Sequence, residues 1–198
     1  MMTELLPLFL TLKGRRVLLV GGGPVAAAKL RQLLAVGADV RVVAPQVSAE
    51  LDEAPHIDRR AFVASDLDDV WLVVAAATPE VNREVAAAAE ARRLFVNAVD
   101  DPANATAFLT GVVRRAGVTI AISTGGDAPA LTALLREALD ALLPRDLDRW
   151  IDTARRQRIV WKRDAVPIDD RKPQLLAALN DLYTPKIPWL NSPEDSWL

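Results

Sequence analysis

An α/β fold is predicted, with a parallel sheet covered by helices on both faces. Three observations predict it. From residue 16 to residue 99, apolar runs that read as buried strands alternate with segments of helical periodicity. The runs Val17–Val20 and Trp71–Ala77 are apolar throughout, as strands covered on both faces are. A glycine turn, Gly21-Gly22-Gly23, joins the first run to the first helix.

The elements follow in order. Residues 1–14 form a lead-in whose Leu6-Pro7-Leu8-Phe9-Leu10 is expected to pack onto the first strand, Val17–Val20. Val25, Ala26, Leu30, Leu33 and Leu34 then recur at helical spacing up to Gly37. Asp39–Val43 reads as the second strand, Ala44-Pro45-Gln46 as a turn and Ser48–Ala54 as a short helix. Arg59–Val63 is expected as the third strand, Asp66–Asp69 as a polar connector and Trp71–Ala77 as the fourth strand. Pro79 suits the first turn of a helix that continues through Val81–Arg93, and Leu94–Val99 is the fifth strand.

The rhythm changes at Asp100-Asp101-Pro102. Ala107–Val113 and Val118–Ile122 are strand-like, joined by a turn at Arg114-Arg115-Ala116-Gly117. Asp127 is placed to cap a long amphipathic helix carrying Leu131, Leu134, Leu135, Leu139, Leu142 and Leu143, which Pro144 ends. Asp146–Arg163 is a further helix with Trp150 and Trp161, Pro173–Tyr183 another, and Thr184–Leu198 an irregular tail.

Composition narrows the classes. The chain has 198 residues, 51% of them hydrophobic, enough for a sizeable core. Its formal net charge of −2 offers no overall attraction to nucleic acid or to an anionic membrane. Cysteine is absent, so disulfides, thiolate catalysis and cysteine metal sites are excluded. The opening Met-Met-Thr-Glu-Leu-Leu-Pro lacks a basic region followed by a long apolar run, so no signal peptide is expected, and a cytoplasmic location follows. His56, the only histidine, is read as a loop residue in solvent, and no resident metal site is expected.

The chemistry begins at the glycine turn. Gly21, Gly23 and Ala26 make the G-x-G-x-x-G/A pattern in its required setting, between a strand and a helix. The first glycine permits a sharp turn, and the second lets the backbone approach a pyrophosphate. The small third residue lets helix and strand pack closely. Free N–H groups at the helix start then face the anion. This is a Rossmann-like dinucleotide site.

Open α/β sheets bind ligands at the carboxyl ends of their strands. Thr78 lies just past the fourth strand, and Asn97–Asp101 closes the fifth. A carboxylate there is placed to take a proton while hydride leaves, although Asp100-Asp101-Pro102 also reads as a plain turn. Ser123-Thr124-Gly125-Gly126 is either a second anion site or simply the start of a helix. The run Arg155-Arg156-Gln157-Arg158 reads as a solvated helix face, or as a contact for an acidic ligand.

Several of these segments together resemble the precorrin-2 dehydrogenase / sirohydrochlorin ferrochelatase family, the dehydrogenase part of sirohaem synthases. They are Leu6-Pro7-Leu8-Phe9-Leu10, Val20-Gly21-Gly22-Gly23-Pro24-Val25-Ala26-Ala27-Ala28-Lys29, Ala76-Ala77-Thr78, Val96-Asn97-Ala98-Val99-Asp100 and Ala121–Gly126 with Ala128–Arg136. They stand in the family's order across roughly residues 5–145.

The resemblance implies oxidation of precorrin-2 to sirohydrochlorin with NAD, in some members with insertion of ferrous iron into the product. It implies a homodimer. The organisation would then be an NAD-binding domain at 1–102, a dimerisation segment at 103–145 and a helical C-terminal region at 146–198. The family's catalytic aspartate falls on Asp100. Its cofactor contacts fall on Gly21, Gly23, Pro24, Val25, Pro45 and Gln46, with Thr78 beside them. The polycarboxylate substrate would meet Ser123, Thr124, Gly125 and Gly126. A serine modified in some relatives corresponds to Thr124.

One feature departs from the usual NAD pattern. The second strand ends in Val43-Ala44-Pro45-Gln46, without an acidic residue for the ribose. Gln46 is a substitute, and Arg41 leaves a 2′-phosphate open. Two other readings stand beside the enzyme: a non-catalytic NAD(H)-sensing domain, and a short-chain dehydrogenase built on Tyr183 and Lys186.

Overall fold

The computed structural model describes residues 4–183. The expected irregular tail, and with it Lys186, lies outside the described residues. Five strands form one parallel sheet in the order β3-β2-β1-β4-β5. They are β1 Arg16–Val20, β2 Asp39–Val43, β3 His56–Asp58, β4 Leu72–Ala75 and β5 Phe95–Ala98.

Alternation along the strands builds two cores. Val17 and Leu19 of β1 join Val40, Val42, Leu72 and Val74 on one face. Helix α1 (Pro24–Leu34) covers that face with Ala26, Ala27, Leu30 and Leu33. Leu18 and Val20 join Val43, Val73, Ala75, Val96 and Ala98 on the other face, beneath Val85 and Ala89 of helix α2 (Pro79–Glu90). β1 has no polar face because it is buried from both sides, hence its unbroken apolar run.

The topology places the site. The chain leaves β1 toward β2 and β3, then returns to β4 on the opposite side of β1. Connections therefore diverge between the ends of β1 and β4, which is where open sheets of this kind bind ligands.

The structure corrects several boundaries. The third strand is His56–Asp58, not Arg59–Val63, so His56 is a strand residue. Its exposed side chain faces Asp39 at 3.7 Å. Ile57 pairs with Val42, while Phe62 leaves the sheet to fill the α2-side core. A short edge strand has one neighbour only, so its pattern is weak. The expected polar connector starts inside a helical turn, Ala64–Leu67, in which Asp66 and Leu67 are both buried. Ser48–Ala54 holds only a 3-10 turn, Ala49–Leu51. Leu6, Leu8 and Phe9 of the lead-in are exposed rather than packed on β1, and among its described residues only Leu12 enters the core.

Beyond β5 the chain folds back. Thr106 and Ala107 both donate to the Val96 carbonyl, so these residues clamp β5 instead of opening the next strand. β6 is Gly111–Arg115 and β7 is Val118–Ile122. Their turn is tighter than expected, at Ala116 (φ 49°) and Gly117 (φ 83°), the two left-handed residues of a type I′ hairpin. At the entry to helix α3 (Pro129–Leu142) the side-chain bond comes from Thr124 and not from Asp127: the N–H of Ala128, the residue before the helix, donates to Thr124 Oγ1 at 3.2 Å. Helices α4 (Leu147–Arg163) and α5 (Ile168–Asn180) follow. α5 starts before Pro173, which sits inside it.

The chain divides into two compact units. One runs to Gly111 and takes in Ile122–Leu135; the other holds Val112–Ala121 and continues from Arg136. In the second, Trp161 Nε1 donates to Gln174 Oε1 at 2.8 Å and ties α4 to α5. No helix among the described residues is long and apolar enough to cross a membrane.

A charge cluster pins the outer edge of the sheet. Burial pushes the Asp66 carboxyl upward, but hydrogen bonds from Arg60 and from the Val63 N–H, with the charges of Arg60 and Arg41, outweigh it and leave it below its ordinary value. A carboxyl lowered on folding stabilises the fold above its unfolded value of about 3.9, and that stability is lost as pH falls through the folded value. Asp66→Asn is therefore expected to lower stability at pH 7 by about 2 kcal/mol, the scale of a charge-assisted hydrogen bond. The gap from wild type should close below about pH 4, as chemical denaturation across pH would show. An equal gap at pH 3 and pH 7 would contradict this account.

Candidate active site

The glycine turn meets two neighbours. Gly21 has φ +132°, and a Cβ there would lie 2.2 Å from the Ala76 carbonyl oxygen. A Cβ on Gly22 would lie 1.8 Å from the Gln46 carbonyl oxygen. Gly21 donates to the Val43 carbonyl, and Ser48 donates to the Gly22 carbonyl at 2.9 Å. The exits of β1, β2 and β4 are thus pressed together. Gly23 differs: a Cβ there would meet no atom within 4 Å. Its missing side chain serves nothing in the protein and leaves room for a ligand.

The start of α1 is electrostatically bare. Pro24 occupies its first turn, no side chain caps it, and that turn holds no acidic residue. Among the described residues the N–H groups of Val25 and Ala26 have no acceptor, so the positive end of the helix is unanswered there. The start of α2 is already answered. The Glu80 carboxylate is held below its ordinary range by its own backbone N–H and by the Thr78 hydroxyl. Thr78 therefore sits at the β4 exit with its hydroxyl engaged. Pro45 and Gln46 are exposed beside the glycine turn.

The hydroxyl of Ser48 is buried and has no hydrogen-bond partner among the described residues. The open space at Gly23 and the bare amides of α1 make a cradle whose donors suit a dinucleotide's diphosphate. Gly21, Gly23, Pro24 and Val25 would hold the diphosphate, with Pro45 and Gln46 beside the ribose. Arg41 is paired within the protein. Its Nε donates to Asp58 at 2.8 Å, and its guanidinium lies 3.6 Å from Asp66.

Asp100 lies on the same edge. Val20 pairs with Ala75, and Ala75 with Ala98, so one row of the sheet leads from the glycine turn to the end of β5. Two strand spacings make that about 10 Å. Asp100 is exposed and takes φ +57°, a left-handed conformation that Asp tolerates better than most residues. Asp101 differs, since its Oδ2 accepts from Asn104 Nδ2 at 2.7 Å.

Ser123–Gly126 closes against this end of β5. A Cβ on Gly126 would lie 2.9 Å from Pro102 Cγ. Within the loop, Ser123 Oγ accepts from the Gly125 N–H, and Thr124 Oγ1 lies 3.1 Å from Thr132 Oγ1.

Comparison with known proteins agrees with this geometry. Residues 8–111 match a family described as "Putative NAD(P)-binding", and residues 115–142 match the central part of sirohaem biosynthesis proteins. The chain belongs to the NAD(P)-binding family. It is 47% identical to the siroheme synthase of Tolumonas auensis over 149 residues, 73% of this chain and 32% of that one. It is 42% identical to siroheme synthase 1 of Yersinia enterocolitica over 176 residues, 85% of this chain and 37% of that one. The chain thus spans about a third of the length of these curated relatives. Among solved structures, SirC, a precorrin-2 dehydrogenase, superposes with a TM-score of 0.67 at 26% identity, covering 90% of this chain and 92% of that one.

Within this nicotinamide-dinucleotide-binding fold, sequence reasoning missed the supports. Asn82 is buried on α2, and its Oδ1 accepts from the Ala77 N–H at 3.0 Å, holding the β4 exit against the glycine turn. The signal was its place on the buried stripe with Val85 and Ala89. Ser48 showed no signal, since only the fold brings it to Gly22. Two candidates lie elsewhere. Arg155 and Arg156 are engaged on α4 with Asp152 and Thr153. Tyr183 accepts from Trp150 and donates to Asp146, among the helices of the other unit.

The glycines separate fold from ligand. Gly23→Val is expected to keep the wild-type melting temperature and to weaken dinucleotide binding at least about 10-fold, read by tryptophan fluorescence quenching. Gly21→Ala is expected to lower the melting temperature, because both its φ and its Cβ contact are forbidden. Wild-type affinity in Gly23→Val would place the dinucleotide elsewhere.

Proposed function

We propose that this chain oxidises precorrin-2 to sirohydrochlorin with NAD. One observation carries the reading: the bare start of α1 and the exposed carboxylate of Asp100 both follow the carboxyl ends of strands in one parallel sheet. The membership of the family and the SirC likeness point the same way.

The nicotinamide, when bound, supplies a two-electron hydride acceptor. The α1 amides and the Gly23 gap anchor its diphosphate. As a C–H bond of the macrocycle breaks with its electron pair leaving as hydride, a proton leaves the macrocycle and Asp100 takes it. Ser123–Gly126, packed at Pro102, borders the place where the carboxylates of the substrate would lie. NAD is preferred to NADP because Arg41 is bonded to Asp58 and lies beside Asp66 rather than turned to a 2′-phosphate. The protein works as a homodimer in the cytoplasm. Leu131, Leu134, Leu135 and Leu142 of α3 are exposed, and a second copy of this chain would bury them.

The anaerobic oxidation of precorrin-2, followed by visible absorbance, tests the reading. Turnover is expected with NAD, and binding of NADP at least about 10-fold weaker than that of NAD. Asp100→Ala is expected to lose about 100-fold or more in kcat, the usual worth of a positioned acid or base, while its Kd for NAD stays within about 2-fold. Ferrous ion added to the same assay reports on metal insertion through the product spectrum. NAD binding without any absorbance change would make the chain a sensor of the dinucleotide rather than an enzyme.

A further inference from the structure

Two aspartates stand side by side past the carboxyl end of β5, and the fold treats them differently. Asp100 is exposed, and its backbone is left-handed at φ +57°. Asp101 is half-buried, and Asn104 holds it twice. Asn104 Nδ2 donates to Asp101 Oδ2 at 2.7 Å, and the Asn104 N–H donates to the Asp101 carbonyl at 3.2 Å. Asn104 is itself half-buried and closes the 3-10 turn Pro102–Asn104.

On the other side of Asp100 the backbone is fixed as well. The Val99 N–H donates to the Ala75 carbonyl at 2.9 Å, which ties that residue to the end of β4. Asp100 is thus a single residue between two anchored ones. A left-handed conformation is costly for a residue with a Cβ, and it persists only where its surroundings impose it. Here the β4 carbonyl acts before Asp100 and Asn104 acts after it.

Further bonds return the chain to β5 beyond the turn. The Val96 N–H donates to Thr106 Oγ1 at 2.9 Å, and Asn97 Nδ2 donates to the Ala107 carbonyl at 2.9 Å. Neither bond reaches the two aspartates. Among the described residues, Asn104 supplies the side-chain hydrogen bond to this pair.

We propose that Asn104 is the positioning residue for Asp100. It clasps Asp101, fixes the peptide that joins the two aspartates, and so sets where the Asp100 carboxylate stands. The same bond selects the proton acceptor: the Asp101 carboxylate is occupied by the amide, and that of Asp100 is left open. The role in turnover rests on the proposed dehydrogenase reading. A base works only within hydrogen-bond reach of the proton it removes, so a relaxed turn costs rate and leaves cofactor binding alone.

Two measurements test this, the first without substrate or cofactor. Amide hydrogen exchange, followed by NMR, reads the turn in the free protein. The Ala105 N–H donates to the Pro102 carbonyl within it. In Asn104→Ala that amide is expected to exchange at least about 10-fold faster, with the Val99 amide within about 2-fold of wild type. Equal exchange of Ala105 in the two proteins would overturn the clasp. The second measurement is the kinetics of precorrin-2 oxidation, at a temperature where every variant is folded. Asn104→Ala and Asp101→Ala are each expected to lower kcat at least about 10-fold, with KM and the Kd for NAD within about 2-fold. The double variant should fall no further, since both changes remove one contact. Asp101→Asn keeps an oxygen for the Asn104 amide and is expected to retain at least about half of the wild-type kcat. Asp101→Asn as slow as Asp101→Ala would show that the Asp101 charge itself is used and would overturn the assignment. Wild-type kcat in Asn104→Ala would make the clasp a matter of the turn's own packing. If the wild-type chain fails to oxidise precorrin-2, the dehydrogenase reading falls, while hydrogen exchange still decides whether Asn104 holds the turn.

Discussion

The approach of Gly21 to the Ala76 carbonyl constrains everything at the ligand edge. No side chain fits between them, and the φ of +132° admits glycine alone at low cost. This contact draws the exits of β1 and β4 together at the point where the connections diverge. It aims α1 so that its first amides face outward, while Asn82 fixes the other side by holding Ala77. The parallel register then carries the alignment two strands further, to Asp100. A displacement at Gly21 would thus spread along the whole edge.

The two helix starts on this edge show how a fold selects one anion site. Both begin with proline and both lie at strand exits. α2 supplies its own anion in Glu80, whereas α1 has none. The helix dipole is equal in kind at both. The difference is one carboxylate in the first turn, and it leaves α1 open to a diphosphate. The charges at the outer edge work in the opposite sense. Arg41, Arg60, Asp58 and Asp66 satisfy one another and are withdrawn from ligand chemistry.

Much of the fold was legible because burial writes itself into the chain. A strand covered on both faces must be apolar throughout, so β1 and β4 announced themselves; β2 matched its expected bounds despite Arg41, because Val40 and Val42 fill one core and Val43 the other. The edge strand β3 did not, since one of its sides meets solvent and its three residues make no pattern. The lead-in failed for a related reason: Leu6, Leu8 and Phe9 are apolar, but hydrophobicity alone does not name what covers a residue. Asp127 was a sound cap by type, yet Thr124 reached the Ala128 amide first, by closing a glycine turn that local rules do not foresee.

The sequence by itself determined the alternation of strands and helices, the glycine turn and the residues offered to a dinucleotide. These depend on periodicity and on which backbone shapes a residue permits, both local properties. Only the tertiary structure decided which amides stay bare, that Arg41 is spent on Asp58, and that Asn82 on the second helix holds the Ala77 amide. These depend on distances between segments remote along the chain, and packing sets such distances.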